Sequence, residues 1–136
     1  MHRARVSVWI LLLPACFAAA SRSVWEGVYT KAQADRGQNT YREDCAKCHA
    51  ENLMGGEAGP PLAGSEFLNK WNGKTAGDLF TLMRKTMPSD DPGNLSTRQY
   101  SDIVAYILSA NEFPDGQKDL DRDAAILNEI RIERKR

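Results

Sequence analysis

The feature that constrains this chain most is one five-residue run, Cys45-Ala46-Lys47-Cys48-His49. Two thiols separated by two residues and followed at once by a histidine form the C-x-x-C-H signature of covalent haem attachment. The thiols add to two haem vinyl groups and become thioethers, and the adjacent imidazole reaches the iron as proximal ligand. The run therefore predicts one c-type haem, attached through Cys45 and Cys48 and ligated by His49.

Two other kinds of site use a Cys-x-x-Cys pair. A structural zinc site needs four ligands, whereas three are clustered here and the other histidine is His2, at the N-terminus. A thioredoxin-type redox pair lies in a βαβ context, and no strand pattern flanks this motif. Covalent haem is therefore the better interpretation.

Residues 1–20 have the pattern of a secretory signal, with basic residues Arg3 and Arg5, a long apolar run and three alanines. The apolar run is too short to remain as a membrane anchor. We expect an exported protein, periplasmic in a bacterium, with no transmembrane span in the mature chain. In one alternative, residues 13–16 are a lipobox and Cys16 is lipidated, although Pro14 fits such a box poorly.

Charge limits the class of partner. The chain has 18 Lys and Arg against 18 Asp and Glu, and loss of the signal removes two of the basic residues, leaving a formal charge of −2. A nucleic-acid-binding protein needs a basic surface, so we expect no nucleic acid partner. A mildly acidic carrier can still dock on a complementary patch of a redox partner.

A first helix is predicted over residues 31–44. Thr30 and Gln33 have the spacing of a capping box at its start. Gly37 lies on the same face as Tyr41, and a glycine inside a helix costs about 1 kcal/mol relative to alanine. Close approach of another helix would offset that cost; the alternative is that the glycine is merely tolerated.

The strongest helical stripe begins after a second capping box, Ser96 to Gln99, and ends near Asn111. We expect this helix to pack against the face that carries Gly37. Its apolar residues recur with helical spacing: Tyr100, Ile103, Val104, Ile107 and Leu108.

The segment after the haem motif is rich in glycine and proline and predicts a loop. A metal-bound histidine usually donates its second ring N–H to a carbonyl or carboxylate group. Pro60 has a carbonyl to offer and no N–H of its own, so we predict that it accepts from Nδ1 of His49. The alternative is an ordinary turn.

Residues 66–71 predict a short helical turn that ends at Trp71. Core packing is the main expectation for this side chain, and its indole N–H is also a candidate donor to a haem propionate. The next helix is predicted to begin after Thr75, as N-cap residue.

Met87 is the predicted distal ligand of the haem iron. Pro88 ends the preceding helix, so Met87 belongs to an irregular segment that can aim its sulfur at a fixed point. Met54 follows His49 too closely to reach the other haem face, and Met83 has the position of a core residue in mid-helix.

The chain is thus divided into a signal peptide (1–20), a lead-in segment (21–29), a haem-binding domain (30–111) and a C-terminal extension (112–136). The extension predicts either a short amphipathic helix lying on the domain or a frayed tail. The residues that suggest the helix are Ala124, Ala125, Leu127 and Ile130.

Over residues 30–111 the chain resembles the class I cytochrome c family. The resemblance implies an all-α cytochrome c fold wrapped around one haem, with the first and last helices crossing near Gly37. It also implies His49 and Met87 as axial ligands. The matching motifs are Gly37-x-x-x-Tyr41, Cys45-x-x-Cys48-His49, Gly59-Pro60-x-Leu62, Met87-Pro88 and the last helix with Tyr106.

A narrower resemblance is to small bacterial cytochromes that serve quinoprotein (PQQ) alcohol dehydrogenases. It implies a dehydrogenase as electron donor, and any dehydrogenase activity would then belong to that partner. The motifs are Trp25-x-Gly27-Val28-Tyr29-Thr30, Gln33-Ala34, the run from Met87-Pro88 to Leu95-Ser96, and Asn111-x-Phe113-Pro114-x-Gly116.

The leading functional hypothesis is a periplasmic one-electron carrier and not an enzyme. It would take electrons from a dehydrogenase and pass them to a respiratory chain through a terminal oxidase or another cytochrome. Two alternatives stay open: a haem enzyme or gas sensor with a displaceable distal ligand, and a cytochrome subunit of a larger dehydrogenase complex.

Overall fold

The computed structural model describes residues 22–135. The predicted signal, residues 1–20, lies outside this range, as does Cys16 with its alternative of lipidation. Within the described range, no helix combines the length and the apolar character needed to cross a membrane.

The architecture is the predicted all-α cytochrome c fold, with one small addition. Two short strands near the two ends of the described chain pair in parallel, with Arg22 opposite Ile130. In order, the elements are β1 Arg22–Ser23, a 3-10 helix Val24–Glu26, α1 Lys31–Asp44, α2 Ala46–His49, α3 Gly64–Trp71, α4 Ala76–Thr86, α5 Thr97–Ala110, α6 Ala124–Leu127 and β2 Ile130–Arg131.

Helices α1 and α5 cross in close contact at Gly37. A methyl group added at Gly37 would lie 1.8 Å from the carbonyl oxygen of Asp102, so only glycine fits there. Tyr41 and Val104 are fully buried nearby. The predicted reason for a glycine inside α1 is confirmed.

The start of α1 corrects one prediction. The hydroxyl of Thr30 accepts the N–H of Gln33 at 3.1 Å, as expected of an N-cap residue. The side chain of Gln33, however, does not return to Thr30. It is buried and bonds both backbone groups of Leu120, accepting the N–H at 2.6 Å and donating to the carbonyl at 3.1 Å. A buried amide needs both kinds of partner, and the extension supplies them.

The extension is packed against the domain, so the frayed-tail alternative is wrong. The predicted short helix is α6, four residues long, and it places Leu127 in the core. Beyond it, Ile130 and Ile132 are also buried. Burial of these large aliphatic side chains removes apolar surface from water and holds the extension in place.

Helices α3 and α4 lie between the haem-attachment motif and α5 in the chain. α3 begins at Gly64, two residues before the predicted turn. α4 begins after Thr75, whose hydroxyl accepts from Asp78 while the Asp78 carboxylate accepts the N–H of Thr75. α4 ends at Thr86, before Pro88, as predicted.

Candidate haem site

A cleft of about 960 Å³, its open mouth included, lies between α2, α4, α5 and the loop before α3. Its mostly apolar walls are typical of a cofactor site. The apolar side chains of the walls include Leu62, Trp71, Leu79, Leu82, Met83, Ile103 and Ile107.

The haem-attachment motif lies on one wall of this cleft. Cys45 connects α1 to α2, and its N–H donates to the carbonyl of Tyr41 at 2.9 Å. The N–H of His49 donates in turn to the carbonyl of Cys45 at 3.0 Å. This single helical turn brings Cys45, Cys48 and His49 to the cleft, and the two cysteines are not joined by a disulfide.

The thiol of Cys45, before haem attachment, lies in an environment that disfavours its ionisation. Burial raises its pKa to about 12, and the neighbouring Asp44 carboxylate and Cys48 add to the effect. A neutral sulfur is the form that an apolar wall tolerates, because desolvation disfavours the thiolate.

The imidazole of His49 has a fixed orientation. The side chain is buried, and Nδ1 lies 2.8 Å from the carbonyl oxygen of Pro60, the acceptor that the sequence predicts. A carbonyl can only accept, so in the neutral ring the proton lies on Nδ1 and Nε2 keeps its lone pair. Gly59 supports the ring from the side, since a methyl group there would come within 3.0 Å of Nδ1.

Met87 lies on the cleft wall just after the end of α4, in a half-buried position. Its N–H donates to the carbonyl of Met83 at 2.8 Å, and its carbonyl accepts the Tyr100 hydroxyl at 2.7 Å. The bond between Met87 and Pro88 is cis. Sequence reasoning missed Tyr100 as a partner; the available signal was a buried phenol in an apolar stripe, which must find an acceptor.

The two rival methionines differ in position. Met83 also lines the cleft, so it is a wall residue as well as a buried one. Met54 is 53% exposed and does not line the cleft. The choice of Met87 over Met83 as iron ligand stays a prediction.

Trp71 is buried in the wall and stacks on Phe67, with ring centroids 6.1 Å apart. This packing agrees with the core role expected of it. Its contact with a haem propionate stays a prediction, as do the roles of the other site residues.

One charged contact beside the cleft was not predicted. Lys47, between the two cysteines, pairs with Asp90 in the loop that begins at Met87. Both side chains are more than half exposed, so the pair contributes little to stability. It does connect the attachment motif to the methionine loop.

The residues present fit a haem c. The cleft offers two cysteines at the required spacing, an imidazole held through Nδ1, two methionines and apolar walls. Cys45 and Cys48 would hold the porphyrin, and His49 would hold the iron. In residues 22–135, no group of three or more Cys, His, Asp and Glu side chains is arranged to bind a bare metal ion.

This fold and this site define a c-type cytochrome, a protein that carries covalent haem c and transfers electrons. Residues 32–107 match the family described as cytochrome c oxidase, cbb3-type, subunit III. Because the match spans more than half of the 136 residues, the chain belongs to that family. The lead-in segment and the C-terminal extension lie outside the matched region.

Two further comparisons add little. No curated protein sequence matches the chain significantly. The crystal structure of the sulfane dehydrogenase SoxCD from Paracoccus pantotrophus is similar, at 20% sequence identity and a TM-score of 0.49. That match covers 82% of this chain and 61% of the other, so this chain spans less than two thirds of the SoxCD chain.

Proposed function

We propose that this cytochrome is an exported one-electron carrier in which His49 and Met87 are the axial ligands of the iron. The observation that carries the proposal is that His49, oriented by Pro60, and Met87 line the same apolar cleft. When bound, the haem supplies an iron that changes between the ferrous and ferric states. Every other contribution comes from the polypeptide.

The polypeptide orients the ligands and excludes water. Pro60 fixes the ring of His49, and Tyr100 fixes the backbone of Met87. A neutral thioether sulfur favours the ferrous state and raises the reduction potential. The apolar wall acts in the same direction, because the ferric state brings one more positive charge into a medium of low polarity.

The partner proteins are proposed from the motifs of the narrower resemblance, some of which lie outside the matched region. We infer a dehydrogenase, of the quinoprotein type, as electron donor and a terminal oxidase or another cytochrome as acceptor. Two motif residues of the narrower resemblance contact each other, since the rings of Trp25 and Phe113 meet edge to face at 4.8 Å. Contacts with such partners are weak and brief, as in electron-transfer encounters generally.

The alternative of a haem enzyme or gas sensor requires a displaceable sixth ligand and polar distal groups. The observation relevant to it is that Met87 follows the end of α4 and belongs to a loop, whereas Met83 lies within the helix. His49 is the only histidine of residues 22–135 and is already assigned to the proximal side. The carrier is therefore the preferred proposal. A subunit of a larger dehydrogenase complex would show itself by co-purification with its partners.

Export rests on residues 1–20 and is proposed from the sequence pattern alone. The N-terminal sequence and the mass of the protein recovered from the periplasm test it. Cleavage near residue 20 supports a soluble periplasmic protein. A mass increment of a diacylglyceryl group on Cys16 would instead support lipid anchoring.

The central experiment is the visible spectrum of the haem-loaded protein, oxidised and reduced, with and without carbon monoxide. A low-spin six-coordinate haem, a sulfur-to-iron charge-transfer band when oxidised and no reaction with carbon monoxide support the carrier. Ready binding of carbon monoxide would favour the enzyme or sensor.

Met87→Ala and Met83→Ala identify the sulfur ligand. We expect Met87→Ala to keep the haem attached, to lose the charge-transfer band and to lower the potential. Met83→Ala, the matched control from the same wall, should keep the band. If the band survives in Met87→Ala and disappears in Met83→Ala, Met83 is the ligand.

A further inference from the structure

Part of the C-terminal extension runs along the turn between α3 and α4. The N–H of Ile132 donates to the carbonyl of Lys74 at 2.8 Å, and the N–H of Gly73 donates to the carbonyl of Ile132 at 2.8 Å. The N–H of Arg134 bonds Oδ1 of Asn72 at 3.0 Å. These contacts connect the extension to the turn that precedes α4, the helix that leads to Met87.

Asn128 contacts Thr75, the N-cap residue of α4. The Thr75 hydroxyl has one proton, which it donates to Oδ1 of Asn128 at 3.0 Å. The lone pairs of the Thr75 oxygen remain as acceptors, and this oxygen accepts the N–H of Asp78 at 3.0 Å. Asn128 thus sets the direction in which the N-cap hydroxyl points.

Gly77 makes this junction a tight one. A methyl group added at Gly77 would lie 2.1 Å from Oδ1 of Asn128 and 2.7 Å from its backbone nitrogen. The first turn of α4 and the end of α6 are therefore in contact through backbone as well as side chain. A displacement of Asn128 displaces α4.

α4 transmits this position to the haem cleft. Leu79 and Met83 project from it into the cleft wall, and Met87 is its C-cap residue. Its backbone hydrogen bonds make an 11-residue helix a stiff rod. A shift of the first turn of α4 therefore also shifts its last turn, which leads to Met87.

We propose that Asn128 is a positioning residue for Met87, acting through the N-terminus of α4 to set how firmly the methionine sulfur occupies its place at the iron. This inference rests on the proposed role of Met87 as distal ligand. It assigns a function to the extension, which lies outside the region matched by the family.

The chain contains a matched control at the start of α1. There the Thr30 hydroxyl also caps a helix, accepting the N–H of Gln33, and also contacts an extension side chain, that of Asp119. α1 leads to Cys45, which the haem holds covalently. Loss of the Asp119 contact therefore weakens the fold without changing the methionine ligand.

The experiment compares Asn128→Ala, Asn128→Asp and Asp119→Ala in the full-length, haem-loaded, oxidised protein. Three quantities are measured: the rate at which cyanide replaces the sulfur ligand, the temperature at which the charge-transfer band is lost, and the unfolding temperature by far-ultraviolet circular dichroism. The first two report on the methionine, and the third reports on the whole fold.

We expect Asn128→Ala to accelerate cyanide binding about threefold, the effect of one lost surface hydrogen bond. In this variant the charge-transfer band should disappear several degrees below the unfolding temperature. Asn128→Asp keeps an acceptor oxygen for Thr75 and should restore wild-type behaviour. Asp119→Ala should lower the unfolding temperature and leave the cyanide rate unchanged. Asn128→Leu, of similar volume without the acceptor, repeats the test if the alanine variant folds poorly.

The inference is overturned if both Asn128→Ala and Asn128→Leu bind cyanide at the wild-type rate, or if Asp119→Ala accelerates it equally. A failure of the proposed function looks different. In that case the wild-type protein itself lacks the charge-transfer band, or Met87→Ala leaves the band and the cyanide rate unchanged.

Discussion

α1 and α4 both begin at a threonine whose hydroxyl caps the helix and contacts the C-terminal extension, Thr30 in α1 and Thr75 in α4. They differ at their other ends, because α1 leads to Cys45 and α4 leads to Met87. The attachment side is fixed by thioether bonds and by a helix crossing that admits only glycine. The side that carries Met87 has no such covalent attachment, so we expect small changes there to affect the iron ligation that we propose.

The largest expected effect is on the attachment side. Cys48→Ser removes one thioether, and we expect most of the haem-loaded protein to be lost. The yield of covalent haem, measured from the pyridine haemochrome and the protein mass, checks this. Lys47→Ala is the matched control inside the same motif and should give a normal yield. A normal yield for Cys48→Ser would contradict the assignment of the motif.

The second effect is on the helix crossing of the same side. Gly37→Ala places a methyl group 1.8 Å from the carbonyl oxygen of Asp102, so α1 and α5 must move apart. We expect the free energy of unfolding to fall by about 3 kcal/mol, the upper range for overpacking. Denaturant titration measures it. Gly56→Ala is the control, because no atom lies within 4 Å of the added group.

The third effect is a loss of stability confined to the segment around Met87. Tyr100→Phe removes the hydrogen bond to the carbonyl of Met87 and should cost about 1 kcal/mol. The temperature at which the charge-transfer band is lost should fall further than the unfolding temperature. Tyr106→Phe is the control, since its ring packs on Tyr41 and its hydroxyl accepts from Gln38 and does not bond Met87. Equal shifts of both temperatures in Tyr100→Phe would mean a general packing role.

The smallest effect concerns pH at the start of α1. The hydroxyl of Thr30, and then the Arg36 guanidinium, lower the pKa of Asp119 below its ordinary value. A carboxyl with a lowered pKa stabilises the fold above the ordinary value and loses that contribution as pH falls through the lowered one. Asp119→Asn should therefore reduce the loss of unfolding temperature between about pH 5 and pH 3. An unchanged acid profile would contradict this account.

Local sequence rules predicted much of this protein. Covalent chemistry specified the haem site, because two thiols and an imidazole at fixed spacing have few other uses. Proline geometry ended α4 before Pro88, and the stripe of α5 fixed its buried face. Gly37 was informative because an unfavourable residue inside a helix needs a compensating contact.

The tertiary structure decided the contacts between residues far apart in the chain. Gln33 has the spacing of a local cap, yet it bonds Leu120, 87 residues away. Tyr100 bonds Met87, and Asn128 bonds Thr75, 53 residues away. Spacing rules describe neighbours within one or two turns, whereas a buried polar group takes the partner that packing brings to it. The sequence by itself determined the cofactor and the main helices, and packing determined how the methionine is held.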